Sequence, residues 1–222
     1  MTIKSKIFEI LIEFEVMERH CELGKKMLES ELKEIQDLID NNLEGADDNY
    51  AGAFLADIND EFIEVYEVLP RLQWYSQFLV AYSFFEKSLN DICKLLQTYF
   101  GYSLSVNDLS GQGITRAKNY LSKVAGVTKP FKMSEWQLAK LFADIRNAIA
   151  HKNGFVDILP NDSGSLYARL SNRNDLELKQ ELADQTDAQI QFGMDFVSSS
   201  ISAYKAIIFA IGETVSLQKD GG

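Results

Sequence analysis

Between Pro70 and Gly101 the chain leaves itself almost no polar surface. Trp74, Tyr75, Phe78, Leu79, Val80, Tyr82, Phe84, Phe85, Leu89, Ile92, Leu95, Leu96, Tyr99 and Phe100 fall on nearly every side of a helix drawn through them. A helix that is apolar all round must be enclosed by other helices or shared with a partner chain. The rest of the sequence supplies candidates for that enclosure. Apolar residues at three- and four-residue steps predict a helix over 3–43 (Ile7, Ile10, Leu11, Phe14, then Met27, Leu28, Leu32, Ile35), which Gly24 either bends or splits in two. The same spacing in Trp136, Leu138, Leu141, Phe142, Ile145 and Ile149 predicts a helix over 134–154. Ser134 is expected to cap its start, and Gly154 after Asn153 to supply the left-handed residue at its end. A last helix is expected from about Thr186 to Leu217, on a stripe that includes Ile190, Phe196, Ile201, Tyr204 and Ile208.

The intervening stretches are punctuated differently. Residues 41–52 (NNLEGADDNYAG) read as a loop, and a second helical pattern begins near Leu55, with Pro70 either starting a new helix or kinking one. Residues 101–113 form a loop whose Gly111-Gln112-Gly113 precedes a helix. That arrangement can hold a phosphate, but no strand precedes it and no Gly-Lys-Ser/Thr follows, so a simple helix-start turn is the reading that fits better. After Gly154, Pro160 and Gly164 separate short alternating pieces, Leu166–Leu170 and Leu176–Leu178, which can pair as a small β-hairpin; the tail QKDGG is expected to fray. The predicted fold is therefore all-α, an up-and-down helical bundle forming one domain over 1–222. Its parts are an acidic helical extension (1–54), a core (55–155), a loop or hairpin insert spanning 156–184, with the hairpin around 156–180, and a C-terminal helix (185–217).

Charge narrows the function classes. The net charge of −11 argues against a protein that coats nucleic acid indiscriminately. Its distribution is uneven: residues 1–70 hold 6 basic and 18 acidic side chains, whereas residues 111–155 hold 8 basic and 2 acidic. Arg116, Lys118, Lys152 and their neighbours in that basic block either draw an anionic ligand or are solvated cations on helix faces. No run of eighteen apolar residues occurs and acids interrupt the first twenty, so neither a membrane span nor a secretory signal is expected and the default location is cytoplasmic. Cys21 and Cys93 lie inside helical patterns without metal-ligand spacing; buried thiols, no metal and no cofactor are the expectation.

One constellation looks chemical. Arg146-Asn147-Ala148-Ile149-Ala150-His151 sets an Arg and a His five positions apart at the end of a bundle helix, with Lys152 following. The bland alternative pairs Arg146 with Asp144 or Glu86 and lets His151 interact with the helix dipole. Glu86, an acid in apolar company, either forms a structural salt bridge or positions an arginine. On an ideal helix five steps separate side chains by roughly 140°, so Arg146 and His151 do not meet within one helix. They converge only if the helix loosens or a second chain completes the site.

The R-N-x-x-x-H pattern resembles the Arg-x(4 to 6)-His signature of the HEPN superfamily. Further segments agree: LPRLQWYSQFLVAYSFFEKSLNDICKLL (69–96) looks like its aromatic-Glu helix and DLSGQGITRAKNYLSKVAGV (108–127) like its Gly-Ile-x-Arg-Ala-Lys-x-Tyr-Leu helix, so the likeness spans roughly residues 55–155. The resemblance implies a helical bundle that forms a homodimer, with Arg146 and His151 of both chains around one cleft. It also implies metal-independent RNA cleavage, in a toxin–antitoxin or antiviral defence setting with a cognate inhibitor or defence partner. The chemistry suits the residue types: an imidazole accepts or relays a ribose 2′-OH proton near neutrality, and a guanidinium holds the charge that develops on phosphate. Asn147 would orient the phosphate or its helical partner, Lys152 would add outer charge, Glu86 and Asp144 would support, and Arg116 and Lys118 would bind substrate. The alternative is a non-catalytic HEPN-like module that binds RNA, a nucleotide or another protein.

Overall fold

The computed structural model describes residues 2–159, 162–180, 182 and 184–220. In chain order the helices are α1 (Ile3–Leu43), α2 (Asp48–Asp57), α3 (Asn59–Ile63), α4 (Leu69–Phe100), α5 (Gly113–Lys123), α6 (Ser134–Lys152), α7 (Leu166–Leu170) and α8 (Met194–Asp220). Among the described residues there are also three short strands, β1 (Phe155–Asp157), β2 (Glu177–Lys179) and β3 (Asp187–Gln191). The molecule is thus a mostly helical bundle with a small antiparallel sheet. The expected break at Pro160 and the tail residues Gly221 and Gly222 lie outside the described residues.

The enclosure that the apolar helix demands is what forms. α4 runs through the middle, packed against α1, α5, α6 and α8. Phe78, Phe85 and Leu89 of α4, Phe14 of α1, Phe142 of α6 and Tyr204 of α8 are fully buried. The ring of Phe85 stacks on Tyr204 at 4.3 Å, and Phe142 meets Phe196 edge-on at 5.5 Å. Each such ring contributes about 1.5–3 kcal/mol by leaving water. α8 has the length and composition of a membrane-crossing helix over Met194–Ser216, but half of that stretch is buried inside the bundle, where its apolarity forms core.

Several expectations are corrected. Gly24 does not split α1, which is continuous over 41 residues and passes the Gln73 and Gln77 side-chain amides of α4 at this point. The loop expected at 41–52 is shorter, because α1 continues to Leu43 and Asp47 caps α2 by accepting from the amides of Asn49 and Tyr50, both at 2.9 Å. Pro70 is accommodated by a π-helical turn, Glu64–Val68, in which the Leu69 amide reaches back to the Glu64 carbonyl. The wider turn relieves the clash of the proline ring with the preceding backbone, so helical backbone continues into α4.

The segment Leu166–Leu170 is a helical turn and not a strand, because the Ser165 hydroxyl accepts the Ala168 amide at 3.1 Å and caps it. The C-terminal helix starts at Met194 and not Thr186; residues 187–191, Ile190 among them, are the central strand of the sheet. β3 pairs antiparallel with β1 (Val156 opposite Ala188) and with β2 (Leu178 opposite Ile190). A hairpin-like pair is therefore present, but between 177–179 and 187–191.

Candidate functional site

The last turns of α6 carry the chemical residues, and the chain fixes that end with unusual care. Ser134 does not cap the start; Met133 occupies the cap position and the Ser134 hydroxyl donates to Glu135 at 3.1 Å. At the far end Asn153 (φ 50°) and Gly154 (φ 82°) are both left-handed, and the Gly154 amide donates to the Ala148 carbonyl at 3.0 Å. A side chain at Gly154 would overlap the Tyr75 ring and hydroxyl, so only glycine fits. The Tyr75 hydroxyl donates to the Ile190 carbonyl, and the Ile190 amide donates to the Gly154 carbonyl at 3.0 Å. The Gln189 side chain donates to the Asn153 carbonyl at 3.0 Å and accepts from Arg71 at 2.8 Å. β3 therefore clamps the end of α6 to α4.

Beside this end lies an open groove of about 450 Å³ between α6, β1 and α7, lined by Asp144, Asn147, His151, Lys152, Asp157 and Arg169 among others. Asn147 and His151 are one helical turn apart and share this wall. His151 is exposed, and among the described residues its ring makes no hydrogen bond or ion pair. The two cations of the groove are partnered: Lys152 contacts Asp157 at 2.8 Å and Arg169 contacts Asp144 at 2.7 Å. All four side chains are about a third or more exposed, so these pairs are weak and an anion can exchange with the carboxylates.

Arg146 does not line the groove. Its guanidinium lies 5.7 Å from the centre of the Tyr82 ring on α4 and donates to the Asn147 side-chain oxygen at 3.0 Å. Among the described residues no carboxylate pairs with it, since Asp144 is taken by Arg169. The five-residue separation thus has the effect anticipated on helical geometry: within one chain Arg146 and His151 face different surroundings, and Asn147 is the covalent neighbour that touches one and shares a wall with the other.

Glu86 forms no ion pair among the described residues. Its carboxylate lies against Gly113, where a Cβ would come within 3.4 Å, and its charge reaches Tyr82. Burial, reinforced by Glu86 and opposed by Arg146, pushes the Tyr82 hydroxyl up to about 12. That phenol is therefore a proton donor or spectator near neutrality. Arg116 is a structural cation, donating to the Gly111 carbonyl at 2.8 Å, and Lys118 sits half-buried on α5. Neither lines the groove. The Gly111–Gly113 turn is accordingly pinned by Arg116 and by Asn119, which donates to the Ser110 carbonyl at 3.0 Å.

Compared with family models, curated proteins and solved structures, the chain matches none. The site must be judged on its own geometry. Two of its members, Tyr82 and Arg169, escaped the sequence reading. Tyr82 is four residues before Glu86 on the same face of α4, a spacing that could have flagged it; Arg169 was concealed by the expectation of a strand. Among the described residues no group of three or more His, Cys, Asp or Glu is arranged to hold a metal ion.

Proposed function

We propose that this chain is a HEPN-like, metal-independent endoribonuclease that acts as a homodimer, with a toxin or defence effector as its setting. The observation that carries the reading is Arg146: a half-buried guanidinium that, among the described residues, has no carboxylate partner and is hydrogen-bonded to Asn147, one turn from an exposed His151 that has no polar partner among them either. A guanidinium held only by an aromatic face and an amide keeps donors for a phosphate. In the proposed reaction the ribose 2′-oxygen attacks the adjacent phosphorus while its proton passes to His151, directly or through water. The bond to the 5′-oxygen breaks, that oxygen takes a proton back from the imidazolium, and a 2′,3′-cyclic phosphate remains. Arg146 of one or the other protomer steadies the charge on the phosphoryl oxygens. The second protomer brings the two groups to one phosphate, which a single α6 does not.

Labelled RNA incubated with the purified protein in EDTA is expected to yield 2′,3′-cyclic phosphate ends. His151→Ala and Arg146→Ala should each lower the rate by at least about a hundredfold, and substrates lacking the 2′-OH should stay intact. Mixing the two inactive variants should restore cleavage if the site is composite. Cleavage by His151→Ala at the original rate would overturn the assignment.

A second reading has its own support. Asp144, Asp157 and Asp162 balance Lys152 and Arg169, which leaves the groove little net positive charge and suits a non-catalytic HEPN-like module whose partner is another protein more than one that grips a polyanion. That reading expects protein binding and no RNA products.

A further inference from the structure

From Glu29 to Pro70 only Ile35 and Ile58 are buried. This stretch comprises the distal part of α1 and, folded back on it, α2, α3 and the π-helical turn; those elements pack against α1 and one another before joining α4. It forms an arm with almost no core of its own. Two properties of the arm have no use in the bundle or in the α6 site.

The first is exposed apolar surface. Tyr50, Leu55, Phe62, Ile63 and Tyr66 are each 38–51% exposed. Phe62 and Tyr66 stack at 4.2 Å and form an aromatic ridge one helical turn long. The second is charge of one sign. Residues 44–68 contain eight acids and no Lys, Arg or His. Of these only Glu67 forms an ion pair among the described residues, with Lys179 at 2.7 Å. Asp60, Glu61 and Glu64 are exposed beside the Phe62–Tyr66 ridge. A helix that spends large apolar side chains on water while surrounding them with unneutralised carboxylates has the surface of half an interface.

We propose that the arm is the docking site for a basic amphipathic helix of another protein. Its apolar face would cover the Phe62–Tyr66 ridge and its Lys and Arg residues would meet Asp60, Glu61 and Glu64. Charge selects this occupant. A second copy of the arm would set acid against acid, and an anionic lipid surface or nucleic acid would be repelled by the same field. The proposal is independent of the chemistry assigned to α6.

The test uses the full-length protein and a synthetic amphipathic peptide of about 20 residues with Leu at helical spacing and Lys elsewhere, a length that forms a stable helix once docked. Fluorescence anisotropy should report saturable binding that weakens as salt is raised. A scrambled peptide of identical composition should bind at least about tenfold more weakly, as should the protein carrying Phe62→Ser and Tyr66→Ser. Asp60→Lys, Glu61→Lys and Glu64→Lys together should produce a similar loss without touching the ridge. The altered residues are exposed, and circular dichroism verifies that each variant stays helical. The proposal is overturned if the peptide does not bind, if scrambled and ordered peptides bind equally, or if both variants bind as the parent does. It is equally overturned if sedimentation shows that the ridge mediates self-association, with Phe62→Ser and Tyr66→Ser abolishing it.

Discussion

α1 passes through two environments. Its first half places Ile7, Ile10, Phe14, Cys21 and Leu28 against α4 and α8, whereas beyond Glu29 it buries Ile35 alone. The same type of sequence, apolar residues at helical steps among acids, is therefore used once to close a core and once to hold up an arm. The difference teaches that amphipathic spacing fixes helix formation but not the depth of burial. Depth depends on what closes over the apolar face: two long helices, α4 and α8, cover the first half of α1, whereas the short α2 and the π-helical turn lie against the second.

If stability resides in the bundle, Phe85→Ala, which empties a fully buried site stacked on Tyr204, should cost about 3–5 kcal/mol. The matching Phe62→Ala in the arm should cost less, about 1 kcal/mol, because that ring is 40% exposed and leaves no enclosed cavity behind. Urea unfolding of both variants checks this, and equal losses would erase the distinction between the two regions.

The pH response should follow the bundle as well. Burial pushes the Cys93 thiol from 9.0 to about 12, so above pH 9 the unfolded chain releases a proton that the folded one keeps. Stability is then lost as pH rises from about 9 towards 12. A Cys93→Ala protein, measured by urea unfolding across that window, should show a shallower decline.

The smallest effect belongs to the arm. Asp47→Ala removes the cap of α2 and about 1 kcal/mol of local stability. Hydrogen exchange should speed up in 48–57 while the global unfolding midpoint stays put, provided the arm opens separately from the core.

Residues rather than totals show what was legible. The course of α4 through the middle followed from Trp74, Phe78, Phe85 and Leu89, since no other placement keeps so many large apolar groups dry. The separation of Arg146 and His151 followed from helical pitch alone. Strand β3 was not legible, because the five-residue run Asp187–Gln191, with Ile190 in it, continues smoothly into the apolar stripe of α8, and a short run carries no period of its own. Leu166–Leu170 misled in the opposite direction: its alternation imitated a strand, while Ser165 just before it was an available capping signal. The ties of Gln189 to Asn153 and of Tyr75 to Ile190 join residues more than thirty positions apart, and nothing local announces them.

By itself, then, the sequence determined the long helices α1, α4 and α6 and the body of α8, which of them must be enclosed, where the negative charge accumulates and that an Arg, an Asn and a His share the end of α6. Those properties are local: they depend on side-chain type and on spacing along one helix. Tertiary structure decided that His151 opens on a groove walled by β1 and α7, that Arg146 lies instead on Tyr82, and that Arg116 is spent on the Gly111 carbonyl. Most of these choices are competitions between groups on different elements for the same charge or hydrogen bond, as Arg169 takes Asp144 from Arg146, and they are settled only when the elements are packed together.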